Sequence, residues 1–412
     1  MIKMQSVRGT YDLYGEPKRK TKKVVSVGEK VVEKYGFEEI ETPIFEFTEV
    51  FSRNLGDTSD IVTKEMYCFE DRGGESLTLR PEGTAGAIRA FISNGMQQNL
   101  PVKLYYHGPM FRYERPQKGR QRQFTQFGIE LLGVETPQAD IEVIAMAYEF
   151  LEKLGLQGAV LVEINSLGDS ESRNAYREKL VGYLKEHFDE LSPESRIRLE
   201  RNPLRVLDSK EECDKKVVEN APLYSDSLNE SSRAFFAKVL QGLDKLNIKY
   251  RINNRLVRGL DYYSHTVFEL VTDKLGAQGT VLAGGRYDGL IEQMGGGKVA
   301  GIGWACGVER LAMLLDKGLE SLRPIAVIPT GEDVEDEALL TSHSLRLAGF
   351  TVEMGYSGNL KKRMIKANKA NACKAVIIGS DELTKGEVVI KDLDSGEQKN
   401  IKRDNLIEEL QK

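Results

Sequence analysis

The sequence predicts an α+β body that carries a helical insertion and is followed by a small α/β domain. Three observations lead there. Two extended runs, 110–114 and 123–132, flank a charged loop and read as a hairpin, which supplies an antiparallel pair. From about Gly168 to Tyr250 the chain turns polar and helix-rich, as an inserted module would. After Arg323-Pro324 the pattern alternates strand, helix, strand, helix, strand, which suggests parallel strands. The expected domains are therefore 1–322 for the body, 168–250 for the insertion within it and 323–412 for the C-terminal domain.

The chain of 412 residues is long enough for two or three domains, and 40% hydrophobic with 29% charged residues is ordinary for a soluble protein. A net charge of -5 gives no global attraction to nucleic acid, so any such binding must come from local basic patches. No apolar run reaches the roughly 18 residues of a membrane span, and the start, MIKMQSVRGTYD, lacks a secretory stretch, so a cytoplasmic protein with no membrane partner is expected. Cys68, Cys213, Cys306 and Cys373 form no CxxC pair, which argues against a zinc site or a disulfide framework.

In chain order, Val24, Val27, Val31, Val32 and Tyr35 have helical spacing between Pro17 and Gly36. The run 37–45 reads as a strand interrupted by Pro43, which suits a sheet edge or an interface. A short strand at 76–80 meets the turn Pro-Glu-Gly-Thr at 81–84 before a helix at 85–93. Glu82 and Thr84 thus stand at a strand end beside a helix N-terminus, either as ligand groups or as a plain capping turn with Thr84 as cap. A helix at 141–154 and a strand at 160–165 lead to the insertion, where Tyr176, Leu180, Leu184 and Phe188 mark an amphipathic helix. Beyond Arg323, the basic run Lys361, Lys362, Arg363, Lys366, Lys369 and Lys374 is either a phosphate-backbone contact or a solvated helix face.

The chemistry concentrates in FRYERPQKGRQRQFTQFGIELLG, 111–133. An eight-residue loop with four basic side chains is too long and too charged for a mere turn. Strand alternation puts Phe124, Gln126, Gly128 and Glu130 on one face and Thr125, Phe127, Ile129 and Leu131 on the core face. Arg112 and Glu114 share a face on the first run, and an inward arginine on a strand commonly meets a carboxylate or phosphate. The segment is either a ligand-holding hairpin or a surface hairpin with a solvated tip. Farther on, Gly301 and Gly303 alternate on one strand face and would leave a smooth floor for a flat ring, and Arg310 lies off the buried stripe of the helix that follows. Gly295-Gly296-Gly297-Lys298 is followed by Val299 and opens a strand, so it is no P-loop.

Five stretches carry a resemblance: TLRPEGT at 78–84, FRYERPQKGRQRQF at 111–124, NPLRVLD at 202–208, LVRGLDYY at 256–263 and GIGWACGVERL at 301–311. In type and order they are similar to the motifs of histidyl-tRNA synthetases, members of the class II aminoacyl-tRNA synthetases. The resemblance implies an antiparallel catalytic sheet flanked by helices, a C-terminal anticodon-binding domain and a homodimer. It also implies that L-histidine and ATP give histidyl-adenylate and pyrophosphate, and that histidine then passes to the 3' end of its tRNA.

Carried over by position, Arg112 would hold the α-phosphate and the histidine carboxylate region, and Arg258, also counted among the histidine-binding residues, would add the second positive charge at the α-phosphate. Glu114 would lie near the adenine, which Phe124 and Arg310 would sandwich. Glu82, Gly83, Thr84 and Gln126 would hold the substrate's ammonium end, and Glu130 with Tyr263 would read its imidazole beside Tyr262. Mg2+ would accompany ATP, with no ligands indicated. Two alternatives share this resemblance: a catalytically silent regulatory subunit of ATP phosphoribosyltransferase, which typically lacks the C-terminal domain, and an RNA-sensing module on the same fold.

Overall fold

The computed structural model describes residues 4–53, 61–207, 209–257, 262–275 and 279–411. The chain divides into two units, Met1–Leu319 and Glu320–Lys412.

The first unit opens with the helix Gly15–Lys34, which buries Val24, Val31 and Val32. Strands β1 (Glu38–Glu39) and β2 (Phe45–Phe47) follow on either side of Pro43, which breaks the run, and both are edge strands. β3 (Tyr67–Glu70) and β4 (Ser76–Leu79) join β2 in a three-stranded sheet ordered β2-β4-β3. The helix Thr84–Ser93 leads to β5 (Val102–Phe111) and β6 (Gln123–Leu132), which pair antiparallel from Val102 with Leu132 to Phe111 with Gln123. The hairpin is therefore real, but its first strand begins eight residues before the extended run at 110–114 that the sequence suggested. The residues Leu104, Tyr105 and Tyr106 that extend it are buried.

After the helix Pro137–Lys153 come β7 (Leu161–Ser166), β8 (Tyr250–Ile252), β9 (Ser264–Val271), β10 (Thr280–Arg286) and β11 (Gly301–Gly307). The resulting eight-stranded sheet runs β1-β5-β6-β11-β10-β9-β7-β8, antiparallel from β5 to β7 with a parallel pair at each edge. One face is covered by helices. Phe127, Ile129 and Leu131 of β6 pack there with Val143, Ile144 and Phe150 of the helix Pro137–Lys153, and Phe127 and Phe150 both stack on Trp304 at about 6 Å.

Between β7 and β8 lie the helices Ser170–Glu186, Pro193–Arg201, Glu212–Glu219 and Glu230–Lys245. Tyr176, Leu180 and Leu184 are buried as their spacing predicts, whereas Phe188 lies beyond the end of the first helix and is exposed. The last of the four puts Val239 and Leu243 into the core under the large sheet. Asp214 is wholly buried with no cation beside it among the described residues, and four donors satisfy it: the Ser192 amide and the hydroxyls of Ser192, Ser195 and Ser209, at 2.6–2.8 Å.

In the second unit, β12 (Ile325–Pro329), β13 (Val352–Met354), β14 (Lys374–Ile378), β15 (Glu387–Asp392) and β16 (Gln398–Lys402) form a sheet ordered β13-β12-β14-β15-β16. The three expected strands are parallel, and β15 and β16 add an antiparallel ribbon that their charged, short sequences had concealed. Arg363 departs from the basic helix face. It is 6% exposed and donates to the Pro329 carbonyl at 2.5 Å and to Glu335 at 2.8 Å.

One buried ion pair clamps the end of β10. Arg286 and Asp140 are both 0% exposed, and Arg286 also donates to the carbonyl of Val134 at 2.9 Å and to Asp288 at 3.1 Å. Removing one partner of such a pair leaves an uncompensated buried charge. Arg286→Met should therefore cost about 3–5 kcal/mol in urea unfolding. A loss below about 1 kcal/mol would mean that the pair is dispensable.

Candidate active site

The open face of the sheet is built around Glu130. Because Phe127, Ile129 and Leu131 point into the helical core, the alternation of β6 turns Gln126, Gly128 and Glu130 the other way. Glu130 is 1% exposed. The Tyr106 hydroxyl donates to its Oε1 at 3.2 Å, and the Tyr287 hydroxyl donates to Oε2. Burial pushes the Glu130 carboxyl up to about 8, against the opposing pull of the Tyr287 hydroxyl. The same burial holds both tyrosines well above their ordinary value.

Two glycines make this arrangement possible. A side chain at Gly128 would run into the Tyr106 hydroxyl, and one at Gly303 would overlap the Glu130 carboxylate and the Ile129 carbonyl. The smooth floor expected beside Gly301 and Gly303 is thus partly occupied, although Gly303 still lines the cavity. The Tyr287 ring lies against Gly301 and Glu130 lies against Gly303, so these glycines seat protein side chains. A ligand would meet Glu130 and its tyrosines as well.

At the start of the helix Thr84–Ser93 it is Glu82, and not the Thr84 side chain, that caps. Its carboxylate accepts from the amides of Thr84 at 2.7 Å and Ala85 at 2.8 Å, which satisfies two first-turn donors. Gln126 accepts from the Gly83 amide at 2.8 Å and ties this turn to β6. Burial raises the Glu82 carboxyl. Tyr262 and Tyr263 lie nearby with ring centroids 4.6 Å apart, and Tyr262 meets Tyr287 edge-on at 5.8 Å.

At the other end the hairpin supplies cations. Arg112 donates from Nε to the Pro81 carbonyl at 2.8 Å, and its guanidinium lies 5.3 Å from the centre of the Phe124 ring. Glu114 accepts from Arg120 at 3.1 Å. Arg310 donates twice to the Thr280 carbonyl, at 3.1 and 2.7 Å, and burial lowers its value, with Arg120 adding to the effect. Glu309 accepts the Thr125 amide on both oxygens, at 3.0 and 2.9 Å, which fixes β6 against the start of the helix Val308–Ala312.

These groups line one cavity of about 490 Å³. Glu82, Thr84, Arg112, Glu114, Phe124, Gln126, Glu130, Tyr262, Tyr263 and Arg310 all face it. Gly83 acts behind the lining, through its amide. Arg258 lies outside the described residues. Sequence reasoning missed Tyr106, Tyr287, Glu269 and Lys210. The extended run LYYHGPMF opposite the bare Gly128 was the available sign for Tyr106. The arrangement offers an aromatic face, several fixed cations and, some residues away along β6, a buried carboxylate between hydroxyls. Such a site suits a ligand with a flat ring, an anionic middle and a hydrogen-bonding end.

The family model described as Histidyl-tRNA synthetase matches residues 9–311, and the one described as Anticodon binding domain matches 324–412. A curated protein named Histidine--tRNA ligase from Rhodospirillum rubrum is 60% identical over 97% of each chain. Another so named, from Gluconobacter oxydans, is 55% identical, again over 97% of each. The solved apo structure of the S. aureus histidyl-tRNA synthetase is similar with a TM-score of 0.84 and 36% identity, over 100% of both chains.

The raised Glu130 carboxyl has a consequence for stability. A carboxyl whose folded value is about 8 stays protonated in the folded chain after it ionises in the unfolded one, so stability is lost as pH rises from about 4.5 to about 8. Glu130→Gln cannot ionise and should gain on the wild type across that interval. Urea unfolding of both proteins at pH 5, 6.5 and 8 measures this, and a constant difference would contradict the buried, protonated state.

Proposed function

The chain belongs to the histidyl-tRNA synthetase family, and we propose, from that premise, a role for each group in the cavity. Its activity is that of a histidine--tRNA ligase, a class II aminoacyl-tRNA synthetase: L-histidine is activated with ATP and then joined to the 3' end of its tRNA. The relatives named as ligases cover nearly the whole of this chain, which supports this activity over that of a regulatory subunit. The same match speaks against the RNA-sensing alternative.

The observation that carries the residue assignment is Glu130 between Tyr106 and Tyr287, at the floor of a cavity whose other end holds Phe124, Arg112 and Arg310. An imidazole brings an N–H and, when charged, a cation to a buried carboxylate that has neither among the described residues, and this favours its ionised form. A site built of hydrogen-bonding groups rejects amino acids that leave those groups unpaired. We assign Glu130 and Tyr263 to the imidazole and Glu82, Thr84 and Gln126 to the ammonium group, with Gly83 holding Gln126 and Tyr262 closing the wall. Arg112 and Arg258 stabilise the α-phosphate, Phe124 and Arg310 hold the adenine, and Glu114 lies beside it.

In the first step a histidine carboxylate oxygen attacks the α-phosphorus and pyrophosphate leaves. No protein nucleophile is needed, and the work is charge stabilisation by arginines fixed beforehand. Mg2+ would accompany ATP and would supply positive charge against the polyphosphate. It needs only one or two carboxylates besides phosphate oxygens and water, a requirement that Glu114 and Glu269 on the cavity wall can meet.

The tRNA partner fits the second unit, which we take as the anticodon-binding domain, 323–412, following in sequence a catalytic domain 1–322 that contains the insertion 168–250. A tRNA substrate also implies a cytoplasmic location, and among the described residues no helix is long and apolar enough to cross a membrane. A homodimer accounts for the exposed Ile44, Phe45, Phe47 and Phe69 on and beside the three-stranded sheet, since such a patch on a soluble chain marks an interface.

Two measurements test the assignment. Glu130→Gln should raise KM for histidine at least about tenfold while KM for ATP stays near that of the wild type, because a hydrogen bond to a charged group is worth about 1.5–3 kcal/mol. Equal losses for both substrates would remove Glu130 from histidine recognition. Arg112→Ala should slow pyrophosphate exchange by about 100–1000-fold, the usual cost of one preorganised donor at developing charge. Near-normal exchange would exclude Arg112 from the phosphate.

A further inference from the structure

Among the described residues that line the cavity, the insertion between β7 and β8 contributes one, Lys210. It stands in a short connection between the turn Pro203–Val206 and the helix Glu212–Glu219, and its side chain is exposed. Its chain neighbours are pinned on both sides. The Ser209 hydroxyl donates to the buried Asp214 at 2.6 Å and accepts from the Glu211 amide at 3.3 Å. A lysine on a mobile surface loop would not be held this way, since Asp214 needs its four donors and fixes the Ser209 backbone in meeting that need.

The connection is also packed into the fold: Val206 is buried, and Leu207 partly buried, in the apolar cluster that contains Tyr262, Tyr263 and Tyr287. The other described cations on the cavity wall are Arg112, Arg120 and Arg310. Arg310 is tied to Thr280, and Arg120 pairs with Glu114 on the hairpin. Arg112 spends its Nε on the Pro81 carbonyl and lies 3.9 Å from Glu114, so its charge is partly offset. A phosphate between Arg112 and the tyrosine end, to which Arg258 is also assigned above, faces the buried Glu82 and Glu130 as well, and a further cation on the open side would offset those carboxylates.

We propose that Lys210 is that cation: its ammonium group binds the α-phosphate during adenylation, so that the insertion takes part in the first chemical step. This rests on the ligase reading above. In the step, a bond forms between a histidine carboxylate oxygen and the α-phosphorus. The bond from that phosphorus to the bridging oxygen breaks, and pyrophosphate leaves with the electron pair. Lys210 neither gives nor takes a proton and acts by charge alone.

The test uses the full chain as wild type, Lys210→Met and Lys210→Arg, in histidine-dependent exchange of labelled pyrophosphate into ATP without tRNA, and separately in tRNA charging. Lys210→Met should lower kcat for exchange by about 10–100-fold with KM for histidine little changed, less than a fully buried donor because the side chain is exposed. Lys210→Arg should recover most of the rate. Exchange by Lys210→Met at the wild-type rate overturns the proposal, including the case in which only tRNA charging falls and the lysine serves the RNA. Failure of the arginine variant to exceed the methionine one overturns a role through charge. Wild type that exchanges shows the ligase reading intact whichever way the variants fall, and wild type that does not exchange removes that reading first.

Discussion

A carboxylate buried at the centre of a sheet, with no cation beside it among the described residues, constrains the rest of this structure. Glu130 needs two hydroxyls to replace water, and Tyr106 and Tyr287 come from either side to supply them. The hydroxyls reach it because β5, β6 and β11 are adjacent and in fixed register, with Tyr106 across from Gly128 and Gly303 across from Glu130. A slip of one residue would turn Glu130 into the helical core and bring Ile129 or Leu131 to the cavity. Core packing of Phe127, Ile129 and Leu131 therefore specifies the site as much as it stabilises the fold.

The second hydroxyl depends on a clamp farther out. Tyr287 directly follows Arg286, whose guanidinium is locked to Asp140 in the helix Pro137–Lys153. The helical layer thus reaches through the end of β10 to the cavity floor. A similar economy operates at Glu82, which caps a helix with the same carboxylate that faces the ligand space. Fixed dipoles and charges of this kind need little rearrangement when a reaction begins, which is the physical content of preorganisation.

Much of this was legible in the sequence where period and chemistry coincide. The alternation of 123–132 separated core from cavity residues correctly, and five motif stretches together pointed to the family. What stayed hidden involves partners distant in sequence. Nothing local to Tyr287 or Tyr106 indicates that each meets Glu130, at separations of 157 and 24 residues. Gly301 and Gly303 announced close approach but not by what, and the occupants proved to be a tyrosine and a glutamate of the chain itself. Arg363 looked like one more surface cation, because the Glu335 and Pro329 that bury it are remote in sequence. The strands β15 and β16 escaped notice because neither alternates: β15 buries three consecutive apolar residues between charged ones, and β16 is polar and mostly exposed.

The central claim is that this cavity selects histidine through Glu130 and activates it with ATP. The most direct measurement is exchange of labelled pyrophosphate into ATP by the wild-type chain, with each of the twenty amino acids offered alone. Exchange with histidine and with no other amino acid is the predicted result. Equal exchange with several amino acids, or none with histidine by a folded chain, would contradict it.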